Sequence, residues 1–162
     1  MDPTTKIKGI EELKSIVRRH QAAGEKIVFA NGCFDLLHVG HVRYLQNARL
    51  LGHRLILGIN GDNCVAKLKG VGRPLQKAGD RAEILASLAC VDYVLLFDDI
   101  TVDGILNELR PDIHAKGTDY TEENVPERNT VRAYGGKTVI AGDPKDHSTR
   151  DLIQAIVTRF SA

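Results

Sequence analysis

Ile27-Val28-Phe29-Ala30-Asn31-Gly32-Cys33-Phe34-Asp35-Leu36-Leu37-His38-Val39-Gly40-His41 is the stretch whose reading decides the fold. A short apolar run ends in a turn marked by Gly32. A second glycine and two histidines follow, and a helical pattern begins at Val42. The order is strand, tight loop, helix start. In an α/β protein that junction holds anions, because free backbone N–H groups and the positive end of the helix dipole point there. His38 and His41 stand three residues apart, a spacing that puts both on one face of the helix mouth and lets them touch one ligand.

Outward from this stretch the chain alternates strand and helix. On the N-terminal side, Ile10, Leu13, Ile16 and Val17 recur at helical spacing. They predict an amphipathic helix over about residues 10–21, with His20 a solvated residue near its end. The first strand is read at about 26–30. The helix after it carries Val42, Leu45 and Ala48. Residues 54–60 are nearly continuous in apolar character, which suits a parallel sheet covered on both faces. The segment 61–79 reads as a long polar loop, long enough to suggest function. Asp80 is its expected helix cap, with Glu83 as capping-box partner. A strand at 93–97, a helix capped by Thr101 and stopped by Pro111, a strand at 112–115, a short helical stretch around Val131 and a strand at 137–140 follow. The last helix starts near Ser148 or Thr149 and carries Leu152, Ile153, Ile156 and Val157. This pattern predicts one α/β domain over 1–162: a three-layer, doubly wound sandwich on a mainly parallel five-stranded sheet.

Composition bounds the function. Lys and Arg number 22 against 21 Asp and Glu, so there is no strong basic field for nucleic acid. Aromatic residues make up only 5% with no Trp, too few for a base-stacking platform. No apolar stretch has membrane-spanning length, and the first residues lack a signal-peptide core. Cys33, Cys64 and Cys90 suggest neither a disulfide framework nor a dithiol motif, so cytoplasm is the default.

In a parallel sheet, the loops after the strands emerge at one edge. Here they carry His38 and His41, Lys69, the run Lys116-Gly117-Thr118-Asp119-Tyr120, and His147-Ser148-Thr149-Arg150. Histidines, lysines, arginines, hydroxyls and a helix N-terminus suit a polyphosphate better than a neutral substrate. Neither the P-loop nor the three-glycine dinucleotide fingerprint is present. Asp35 with His38 and His41 is also a possible zinc set. Cys33 reads as a small buried thiol filling a turn, with a nucleophile as the alternative.

The segment His38-Val39-Gly40-His41 resembles the HxGH signature of the cytidylyltransferase-like nucleotidyltransferases. Further motifs narrow the match. They are Asn31-Gly32-Cys33-Phe34-Asp35, Asn60-Gly61-Asp62, Leu68-Lys69-Gly70 with Arg73-Pro74, Arg81, Lys116-Gly117 with Asp119-Tyr120, and Val131-Arg132-Ala133-Tyr134-Gly135-Gly136. Together, over residues 26–160, they are similar to the adenylyltransferase domain of the bacterial ADP-heptose pathway, which serves lipopolysaccharide synthesis. The resemblance implies a Rossmann-like fold, a homodimer, and transfer of AMP from ATP to a sugar 1-phosphate, D-glycero-D-manno-heptose 1-phosphate. It implies Mg²⁺ carried with ATP and no metal site of the protein's own. It implies catalytic roles for His38, His41 and Lys69. Nucleotide contacts fall to Asn31, Gly32, Cys33, Phe34, His38, Gly40, His41, Lys116, Ser148 and Thr149. Substrate contacts fall to Asp35, Asn60, Asp62, Lys69, Arg73, Arg81, Asp119, Tyr120 and Arg150. For Asp35 the alternative is that it steadies the loop. Two other readings stay open: a cytidylyltransferase acting on glycerol 3-phosphate or a phosphorylated amino alcohol, and a nucleotide-binding protein without catalysis. One departure stands out. Relatives of this type generally have a third hydroxyl where Arg150 follows Ser148-Thr149, and His147 is open between ligand contact and exposed loop residue.

Overall fold

Five strands form the sheet in a computed structural model that describes residues 2–144 and 146–161. They are β1 (Ile27–Gly32), β2 (Arg54–Asn60), β3 (Tyr93–Phe97), β4 (Ile113–Lys116) and β5 (Lys137–Ile140). Their order is β3-β2-β1-β4-β5, and every pairing is parallel. The seven α-helices among the described residues are α1 (Ile10–Ala22), α2 (Val39–Leu50), α3 (Asp62–Lys69), α4 (Ala78–Ala86), α5 (Asp103–Leu109), α6 (Arg128–Ala133) and α7 (Thr149–Phe160). The expected three-layer α/β sandwich is the one observed.

The unbroken apolar runs are explained by burial on both faces. In β1, Val28 and Ala30 point into a core shared with Leu45 and Ala48 of α2 and Leu85 and Ala86 of α4. Ile27 and Phe29 point the other way, toward Leu13, Ile16 and Val17 of α1 and Ile105, Leu106 and Leu109 of α5. Successive residues of a strand alternate faces, so a strand covered twice has no polar side. The strand order reverses at β1, whose neighbours are β2 and β4. A crevice at the carboxyl ends of the strands belongs at that switch point.

Several element boundaries differ from the sequence reading, mostly because the caps are unusual. The helix expected from Val42 begins at Val39, with His38 in extended conformation as its N-cap. Residues 61–79 are not a continuous loop: α3 occupies Asp62–Lys69, capped by extended Gly61 and anchored by buried Cys64 and Val65. Asp80 is not a cap. Lys77 holds that position, and Asp80 lies in the first turn, where its charge complements the helix dipole. Val102, not Thr101, precedes α5. β1 runs two residues past Ala30, and β4 is shifted to end at Lys116. His20 is not solvated: its ring pairs with Glu25 and lies 3.0 Å from the Tyr93 hydroxyl. The apolar stripe of α7 stays largely in the open, with Leu152 40%, Ile156 53% and Val157 51% exposed. Among the described residues, no helix is long and apolar enough to cross a membrane.

Candidate active site

The loop leaving β1 is held by residues that fold it back on itself. Phe34 has a φ of 48° and is buried, with its ring edge-on to His41 at 5.0 Å. A Cβ at Gly32 would come within 2.9 Å of the Phe34 ring, so the turn needs glycine there. Asp35 follows, and its side chain is fully buried. Its carboxylate accepts hydrogen bonds from Arg73 Nε and from the backbone N–H groups of Leu75 and Gln76. Burial alone would raise its pKa, but those donors outweigh burial and hold the carboxyl below its ordinary value. Asp35 and Arg73, both expected at the substrate, are thus tied to each other. The pair fastens the 73–76 segment to the loop after β1. With its carboxylate committed there, Asp35 does not complete a zinc set with the histidines, and no group of three or more potential ligands stands together among the described residues.

His38 and His41 stack at 3.8 Å between ring centroids, 26° from parallel. The backbone N–H of His38 donates to His41 Nδ1 at 3.4 Å. A backbone N–H can only donate, so the His41 proton sits on Nε2, which becomes a donor at the helix mouth. Burial, then the positive charge at His38, then that of Lys69 push the His41 pKa down to about 4. His41 is therefore neutral near pH 7 and offers an N–H without a charge. Gly40 makes the stack possible, since a Cβ there would lie 3.0 Å from the His38 ring. Gly40→Ala is expected to push His38 aside and lower kcat/KM at least tenfold, with a melting temperature within a few degrees of wild type. Steady-state kinetics and a thermal melt check it.

Other loops of the same sheet edge are stitched to this one. Arg81, 1% exposed, donates from NH1 to the carbonyls of Cys33 and Asn60, from Nε to that of Gln76, and from NH2 to Asp62 Oδ1. It was expected to face substrate, but it is a buried tie holding the ends of β1 and β2 and the start of α4. Asn60 is buried too, with its amide 3.2 Å from Cys64 Sγ and its oxygen 3.8 Å from Cys33 Sγ. Burial raises the Cys33 pKa, so it stays a thiol rather than a nucleophile. Lys69 stands exposed in the last turn of α3, close enough for its charge to act on both Cys33 and His41.

On the β4 side, Lys116 is buried 3.6 Å from Glu127, with its ammonium 4.9 Å from the centre of the Tyr120 ring. Burial pulls its pKa down against the pull of Glu127. Asp119 and Tyr120 lie on the exposed loop beyond it. Thr118 Oγ1 donates to the Asp143 carbonyl, which joins this loop to the one after β5. At the start of α7, Ser148 is the N-cap: its Oγ accepts from Asp151 N and donates to Asp151 Oδ2. Thr149 Oγ1 donates to the Leu36 carbonyl, fastening α7 to the HxGH loop. Arg150 is exposed in the first turn.

Sequence reasoning missed His114 altogether. It is fully buried in β4, and its Nε2 lies 2.9 Å from Asn31 Oδ1 at the end of β1. Burial and the Lys116 charge push its pKa down to about 3, so it is neutral. A neutral His114 that donates to Asn31 Oδ1 fixes which way the Asn31 amide faces. Only the β1–β4 register, Phe29 opposite His114, brings the two together. The two depressed histidines imply a pH dependence of stability. In the unfolded chain each takes a proton near 6.5, whereas folded His41 waits until about 4 and His114 until about 3. The unfolded state thus binds more protons below 6.5. The stabilisation is whole above that pH and is lost as pH falls toward those lower values. Each tenfold step is worth about 1.4 kcal/mol. Melting temperatures between pH 7 and 5 should fall in wild type and fall less in His114→Gln. Equal slopes would contradict this.

Residues 29–157 match the model of the cytidylyltransferase-like family. The chain belongs to that family of nucleotidyltransferases. It is 46% identical over 156 residues to the "Bifunctional protein HldE" of Syntrophotalea carbinolica, covering 96% of this chain and 32% of that protein. To the protein of the same name from Magnetococcus marinus it is 47% identical over 155 residues, again 96% and 32%. This cytidylyltransferase-like chain thus spans about a third of the length of these relatives. Among solved structures, it resembles the lipopolysaccharide core biosynthesis protein of Thermoplasma volcanium at a TM-score of 0.66 and 25% identity, over 75% of this chain and all of that one. The pantoate-beta-alanine ligase of Francisella tularensis shares the fold alone, at a TM-score of 0.65 and 16% identity over 91% of this chain and 72% of that one.

Proposed function

We propose that this cytidylyltransferase-like domain transfers AMP from ATP to a sugar 1-phosphate, D-glycero-D-manno-heptose 1-phosphate, releasing pyrophosphate. The observation that carries the reading is the stacked pair His38 and His41 at the mouth of α2, with His41 neutral and donating from Nε2. A phosphate oxygen of the sugar attacks the α-phosphorus of ATP. The bond from that phosphorus to the β-phosphate bridging oxygen breaks, and pyrophosphate departs. The attacking phosphate is already ionised at neutral pH, so no protein nucleophile is required, in keeping with Cys33 as a half-buried thiol whose pKa is raised. Catalysis is then alignment plus neutralisation of charge.

The two histidines donate hydrogen bonds to nucleotide phosphates and to the charge that grows in the transition state. Lys69, exposed beside them, meets the phosphates from α3. Asn31, oriented by His114, and the backbone around Gly32 and Gly40 receive the nucleotide. Asp119 and Tyr120 meet the sugar phosphate from the β4 loop. Asp35, Arg73, Arg81, Asn60 and Lys116 shape the site from behind. Mg²⁺ travels on the triphosphate, as its preference for phosphate oxygens and water suggests, and supplies further charge neutralisation when bound. The homodimer implied by the resemblance and a cytoplasmic setting belong to the same proposal.

The test is pyrophosphate release with Mg²⁺, pairing ATP or CTP with either anomer of the heptose 1-phosphate or with glycerol 3-phosphate, and products identified by mass. Release with ATP and one heptose phosphate is expected. Release with CTP alone would keep the chemistry and overturn the assignment of base and pathway.

A further inference from the structure

We propose that the open edge of β5, with the groove between it and α6, is where a second copy of this chain docks, antiparallel and related by a two-fold axis. The inference rests on the homodimer of the reading above and names its surface. The two edges of the sheet differ. At the β3 edge the N-terminal segment lies alongside: Ile7 bridges Val94, and the Lys8 N–H donates to the Val94 carbonyl at 2.9 Å. At the β5 edge no segment pairs, among the described residues. An unpaired edge is a template for another strand.

Which backbone groups face outward follows from the ladder. The Lys137 N–H donates to the Asp112 carbonyl and the Ala141 N–H to the Lys116 carbonyl, so the odd-numbered residues of β5 point to β4. Alternate residues of a strand turn their N–H and C=O to the same side. Thr138 and Ile140 therefore hold theirs outward. In an antiparallel pair centred on Val139, Thr138 of each copy meets Ile140 of the other, and each such pair exchanges both its hydrogen bonds.

Charge selects the occupant. The groove beside β5 has a volume of about 310 Å³, and Glu122, Arg128, Arg132 and Lys137 stand along it. α6 leads from the loop after β4 back to the start of β5, so its two ends lie toward opposite edges of the strands. Where β5 starts stand Arg132 and Lys137, both exposed. At the other end stand Glu122 and Glu123, also exposed, with half-buried Arg128 turned to the Glu123 carbonyl at 3.3 Å. The surface is thus basic at one end and acidic at the other. A two-fold axis through its middle lays the basic end of each copy on the acidic end of its mate, so the contact between Glu122 and Arg132 is made twice. A neutral or basic strand arriving at this edge meets Lys137, the kind of residue that guards an edge. A second copy brings the matching acid.

The experiment measures dimer dissociation by sedimentation for wild type, Glu122→Arg, Arg132→Glu and an equimolar mixture of the two variants, with thermal melts beside it. Each variant alone places like charges at both contacts and should weaken the dimer at least tenfold. The mixture should restore it, because a dimer made of one copy of each variant has both contacts attractive again. Thr138→Pro removes an outward N–H and none of the β4–β5 ladder. It should weaken the dimer as far, with a melting temperature within a few degrees of wild type. Variants that dimerise like wild type, or a mixture as weak as its parts, would overturn this surface and leave the homodimer standing. A monomeric wild type would overturn both. Pyrophosphate release on the same samples keeps the reaction apart: turnover by a monomer leaves AMP transfer standing, and a dimer of this kind without turnover leaves the surface standing. If either charge variant fails to fold, Thr138→Pro decides alone.

Discussion

His41→Ala is expected to lower kcat by roughly 10²–10³-fold with little loss of folding stability. The reason lies in how its proton is held. The His38 backbone N–H takes the Nδ1 lone pair, so Nε2–H is fixed as a donor before any ligand arrives. The Phe34 ring edge on one side and the His38 face on the other keep the imidazole from rotating. A pre-oriented donor needs no rearrangement as charge develops, which is where such groups gain their effect. The ring contributes modest packing, so removing it should cost about 1 kcal/mol. Single-turnover rates and a urea melt on the same variant separate the two. A kcat within threefold of wild type would show that His41 plays no part in the chemistry.

Arg81→Ala is expected to be the most damaging substitution for folding, costing about 4 kcal/mol. The guanidinium satisfies three carbonyl oxygens and the Asp62 carboxylate from a position 1% exposed to solvent. Deleting it leaves those acceptors without donors and opens a cavity beside the site. Lysine cannot substitute, because one ammonium cannot reproduce the planar fork. Urea denaturation should show the midpoint falling with little change in slope. A loss under 1 kcal/mol would mean that water replaces the arginine at no cost.

These two residues show what the sequence could and could not disclose. The strands β2, β3 and β5 were legible to the residue, β2 because burial on both faces writes itself as continuous apolar character. The starts of α2, α3, α4 and α5 were not. Their caps are His38, Gly61, Lys77 and Val102, none with the short polar side chain that marks an N-terminus. Ser148 does carry that mark, and α7 was placed correctly. At the site, His38 and His41 stood out because a glycine and a strand-end turn frame them. The destinations of Asp35 and Arg81 did not, because most of their partners lie 19 to 48 residues away and only the fold brings them near. His114 was hidden for the same reason: its meaning depends on a strand register that no local pattern encodes.

The central claim is direct attack on the α-phosphorus with the protein aligning and neutralising, never forming a bond to AMP. The most direct measurement is the stereochemical course of turnover with an ATP analogue carrying sulfur at the α-phosphorus in a known configuration. One displacement inverts that phosphorus, and inversion in the ADP-sugar is the predicted result. Retention would require two displacements through an adenylylated side chain and would contradict the account.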